Sequence, residues 1–65
     1  MKNWDLSLKY YNEAIRQAPK NASFLNNKAN VLRDIGHFDE AIKIYILAIE
    51  AKPQNPVYHC NLSKV

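Results

Sequence analysis

Polar and apolar positions alternate with helical spacing in four stretches of this 65-residue chain. The pattern predicts helices over about 3–18, 22–35, 38–52 and from 56 onward. Between Ala22 and Ile35, Ser23, Asn26, Asn27, Asn30, Arg33 and Asp34 fall within an arc of about 120° at 100° per residue. Phe24, Leu25, Ala29, Val31, Leu32 and Ile35 take the other side. One face of that helix is expected in solvent and the other in a core. The helix from Phe38 is more apolar, with a polar strip of only Asp39, Lys43 and Glu50 flanked by Ile46 and Leu47. So wide an apolar arc requires neighbours on more than one side.

The breaks have local causes. Asn21 and Asn55 are suited to accept the unpaired N–H groups that open the helices after them, and Pro56 fits a first helical position. Gly36 can take the left-handed conformation that closes a helix, and Asp39 and Glu40 then sit at the positive start of the next. Pro19 and Pro53 stop the helices before them.

The chain also repeats itself. A shift of 34 places aligns Asp5 with Asp39, Lys9 with Lys43, Tyr11 with Tyr45, Ala14 with Ala48, Ile15 with Ile49 and Pro19 with Pro53. Asn21 with Asn55, Asn27 with Asn61 and Val31 with Val65 continue the series, and Trp4 with Phe38, Leu8 with Ile42 and Phe24 with Tyr58 are conservative pairs. Self-similarity at a fixed period of this size marks an array of helical hairpins. Such units bury their apolar faces only against neighbours, and about three are usually needed for stability. Two units' worth of chain is therefore expected either to belong to a longer array or to be completed by copies of itself.

In Leu25, Lys28, Ala29 and Leu32, then Ala41, Tyr45, Ala48 and Pro53, and in the Gly36–Ala41 turn, the sequence resembles the tetratricopeptide repeat. The frame this implies is the second helix of a truncated repeat over 1–21, a complete repeat over 22–55 and the start of a third over 56–65. Two residues depart from the pattern. Lys28 stands in the packed arc, where its stem can lie along the core with the ammonium outside, and His59 stands where a large aromatic is usual. The resemblance implies an all-α fold, antiparallel helix-turn-helix repeats stacked as a right-handed solenoid. It also implies a non-catalytic scaffold whose concave face, lined by the first helix of each repeat, holds a peptide or helix of another protein.

Carried onto this chain, that face comprises Ser23, Asn26, Asn27, Asn30 and Arg33, continued by Cys60, Asn61 and Lys64. An Asn amide offers both donor and acceptor, so Asn27, Asn30 and Asn61 suit the peptide groups of an extended ligand. Each such bond contributes about 0.5–1.5 kcal/mol net. Self-association is expected through the open repeat ends at Trp4 or through the Ile46 and Leu47 flank. The alternative readings are a substrate-targeting segment of a larger enzyme, for example a transferase, and a helical-hairpin RNA binder.

Composition narrows these classes. Net charge is +3, but the nine Lys and Arg are scattered singly, without the basic stripe that tracks a phosphate backbone, so nucleic acid is not the expected partner. Cys60 is the single cysteine, which excludes an intrachain disulfide and suits a reducing, cytoplasmic setting. His37 and His59 have no Cys or carboxylate at ligand spacing, so neither metal nor cofactor is expected. No nucleophile, base and orienting acid converge, and no apolar run approaches the ~20 residues that span a bilayer.

Overall fold

The computed structural model describes residues 4–65 and forms four helices: α1 (Trp4–Gln17), α2 (Ala22–Ile35), α3 (Phe38–Ala51) and α4 (Pro56–Ser63). All four coincide with the periodicity, ends shifting by a residue or so as helix termini do. Asn3, the expected first helical residue, lies outside the described residues. The caps act as their chemistry dictates. Asn21 Oδ1 accepts from the Phe24 N–H at 3.3 Å and Asn55 Oδ1 from the Val57 N–H at 2.9 Å, with Pro56 opening α4. His37 precedes α3 without a side-chain cap, leaving Asp39 and Glu40 to favour that helix start.

Gly36 ends α2 at φ 106°. Its N–H bonds the Arg33 carbonyl at 3.1 Å and the next N–H, of His37, bonds the Leu32 carbonyl at 2.8 Å, the paired closure known as the Schellman motif. A Cβ at this position would meet nothing within 4 Å, so the cost of a side chain there is backbone strain alone. Gly36→Ala is expected to destabilise by about 1–2 kcal/mol. Gly36→D-Ala, accessible by chemical synthesis, should be at least as stable as the natural chain because it suits positive φ and restricts the unfolded state. Urea titration of the three chains measures both.

α2 is packed between α1 and α3, and α4 lies on α3. Two apolar clusters hold the stack. One contains Ala22, Leu25, Ala48 and Tyr58, with Ile15, Ile44, Ile49 and Ala51 against it. The other contains Ala29, Leu32, Ala41 and Tyr45, with Leu8, Ile44, Leu62 and Val65 against it. Ile44 joins the two. Ala29, Ala41 and Ala48 are fully buried; small side chains at these crossings let the helix backbones approach closely enough for Tyr45 to fill the space between them. The wide apolar arc of α3 finds α2 on one side and α4 on another, yet Ile46 and Leu47 remain exposed.

Candidate functional site

The Asn-rich positions lie on α2 and α4. Ser23 and Lys64 are exposed, and Asn27, Asn30, Arg33 and Asn61 are half-buried. Asn26 differs from the solvated position its helical arc implies: it is buried, 9% exposed. The cause is α4, whose Asn61 Nδ2 donates to Asn26 Oδ1 at 2.8 Å and closes over that part of α2. Pairing is what makes a buried amide tolerable, and this bond ties α2 to α4.

Asn30 is also engaged, its Oδ1 accepting from the hydroxyl of the fully buried Tyr45. Burial holds the Tyr45 hydroxyl above its ordinary pKa of 10.0; Arg33 opposes that shift and Asp34 adds to it. Arg33 Nε lies 4.0 Å from Asp34 Oδ1, a loose pair. Asn27 makes no side-chain hydrogen bond among the described residues. The structure thus brings Asn26 and Asn61 into direct contact and sets Asn30 on Tyr45, while Ser23, Asn27 and Lys64 stay apart. His59, which stands where the repeat pattern favours a large aromatic, donates Nε2–H to the Pro53 carbonyl at 3.2 Å and pins α4 to the turn before it. Trp4, Ile46 and Leu47, the expected self-association residues, are all exposed large apolar side chains.

Among the described residues, no three His, Cys, Asp or Glu side chains are grouped to hold a metal ion. None of the described helices is long and apolar enough to cross a membrane.

The family profile described as Tetratricopeptide repeat matches residues 10–43. No curated protein and no solved structure matches the chain. The matched stretch spans one repeat length, from the middle of α1 through α2 into the first turns of α3. It covers Ala14, the Gly36 turn and the buried Ala41 of the α2–α3 core. With four antiparallel helices in hairpin order and a match over half its length, the chain belongs to the tetratricopeptide repeat family.

Proposed function

We propose that the face shared by α2 and α4 is a groove that binds an extended peptide segment of a partner protein, without catalysis. Tetratricopeptide repeats generally mediate protein–protein interaction. The observation that carries the finer reading is that two groove amides, Asn61 and Asn30, are each tethered at one end. Asn61 gives an N–H to Asn26 and so keeps its Oδ1 for a ligand. Asn30 gives its Oδ1 to Tyr45 and so keeps its Nδ2. The face therefore offers a fixed acceptor on α4, a fixed donor on α2 and the free amide of Asn27 between them, the complement of a peptide backbone. Ser23, Arg33 and Lys64 flank it with a hydroxyl and two cations suited to a ligand with acidic side chains. The free Cys60 fits a reducing compartment. Self-association through exposed apolar surface is part of the same reading.

The test is a random dodecapeptide display selection against the full chain, with the tightest peptide resynthesised and titrated by calorimetry. Asn27→Ala, which breaks no internal bond, is expected to weaken that peptide about 3- to 10-fold, the equivalent of one hydrogen bond. Asn30→Ala and Asn61→Ala should weaken it at least as much, with circular dichroism confirming that the helices persist. Equal affinity across all three variants would remove the groove reading.

A further inference from the structure

We propose that two copies of this chain pair through the outer stripe of α3, the two α3 helices antiparallel, with Lys43 of each copy set against Glu50 of the other. This pairing rests on the self-association reading above and gives it a surface, a direction and a symmetry.

Lys43, Ile46, Leu47 and Glu50 follow one another at i, i+3, i+4 and i+7 and so share one face of α3, within an arc of about 100°. All four are exposed, Ile46 at 42% and Leu47 at 46%. One period earlier the same places on α1 are Lys9, Asn12, Glu13 and Arg16, and these are exposed as well. α1 keeps its stripe in solvent with α2 and α3 following it, and α3 keeps its own with α1 and α2 before it. Stacking therefore covers this face from neither side, and further repeats at either end would leave Ile46 and Leu47 exposed. The two stripes differ in chemistry. On α1 it is polar throughout, and Glu13 closes on Arg16 at 2.6 Å. On α3 two large apolar side chains stand where α1 has Asn12 and Glu13, and among the described residues neither Lys43 nor Glu50 has an ion pair.

The α3 stripe is its own complement. Its spacing is the same read in either direction, and reversal exchanges cation for acid at the ends and isoleucine for leucine in the middle. Two such helices laid antiparallel bring Ile46 against Leu47 and Lys43 against Glu50, each contact made twice. Laid parallel they would set Lys43 on Lys43 and Glu50 on Glu50, which like-charge repulsion opposes. Leu47 also borders a hollow with Pro19, Leu25 and Ala51, beside the turn after α1, so the second copy meets a concave apolar margin and not a bare helix. Identical patches meeting across a two-fold axis close at two copies. The patch is small, so the pair is weak, with a Kd of about 0.1–1 mM. None of the groove residues lies on α3. The dimer therefore presents two peptide grooves, and a ligand with two copies of the recognised segment gains avidity.

Sedimentation equilibrium of the full chain at up to about 1 mM tests this with substitutions at exposed positions, circular dichroism confirming that each variant keeps its helices. The natural chain is expected as a mixture of monomer and dimer with no larger species. Lys43→Glu alone and Glu50→Lys alone each set like charges together at both ends of the contact and should weaken the dimer by about 10-fold. The chain carrying both substitutions restores opposite charges and should dimerise within about 2-fold of the natural one. Leu47→Asp, which places a charge in the apolar centre, should be monomeric. A dimer lost in Leu47→Asp but indifferent to both charge reversals would overturn the antiparallel pairing while leaving self-association through Ile46 and Leu47 standing. A Leu47→Asp chain that still dimerises would move the contact off this face of α3. A natural chain that stays monomeric at about 1 mM would overturn self-association itself and give the stripe to a helix of another protein.

Discussion

Tyr45→Ala is expected to leave the chain largely unfolded at room temperature. Tyr45 is the largest fully buried side chain, enclosed where Ala29, Leu32 and Ala41 meet. Truncating a buried aromatic costs about 3–5 kcal/mol. A chain of 65 residues has a total stability of about 3–10 kcal/mol at ordinary values per residue. The loss is thus comparable to the whole, and far-ultraviolet circular dichroism should show it directly. Retention of the natural helical signal and melting temperature would mean that the core does not depend on the α2–α3 crossing.

Tyr45→Phe separates the ring from its hydroxyl. It removes the bond to Asn30 and should cost only about 0.5–1.5 kcal/mol. It should also change the response to alkali. Because burial raises the Tyr45 pKa above its ordinary 10.0, the unfolded chain gives up this proton before the folded one does. The stability contributed by the protonated hydroxyl is then fully present below about pH 10 and is lost as pH rises toward the folded value. The natural chain should lose stability more steeply than Tyr45→Phe above pH 10, measured as the difference between their denaturation midpoints. Parallel curves would place the hydroxyl in solvent.

The helices were legible because their signals are local. Each cap, Asn21, Asn55, Gly36 or Pro56, acts within a few residues of itself, and the period-34 identities report which surfaces recur. The polar link between α2 and α4 was not legible, for a definite reason. The internal shift aligns Asn27 with Asn61, whereas the bond joins Asn61 to Asn26, which aligns with Cys60. Repeat equivalence says which residues occupy like places, not which ones touch. Likewise the arc of α2 gives its polar side but not that α4 covers part of it, so Asn26 reads as solvated and is buried. A partner for Tyr45 was demanded by the chemistry of a buried hydroxyl, yet Asn30 became identifiable only with α2 and α3 in register.

Leu25→Ala is expected to be the second most damaging change, at about 2–5 kcal/mol for emptying a buried leucine site. Leu25 is 4% exposed and shares its cluster with Ala48, which is fully buried. Ala48→Leu alone should cost about 1–3 kcal/mol, since the added carbons have no space. Combined, the two exchange volume across one contact, and the double variant should be about 0.5–3 kcal/mol less destabilised than the single effects predict together. Thermal melts with trimethylamine N-oxide present keep all four chains folded enough to compare. Ala14→Leu is the internal control, one period away in the surface crevice between α1 and α2, where Ala14 is half-buried. At concentrations where the chain is monomeric it should shift stability by no more than about 0.5 kcal/mol. Equal costs at Ala14 and Ala48 would mean that the two alanines are packed alike, whereas the expected contrast assigns the difference to the α2 side chains Ala22 and Leu25 that cluster with Ala48.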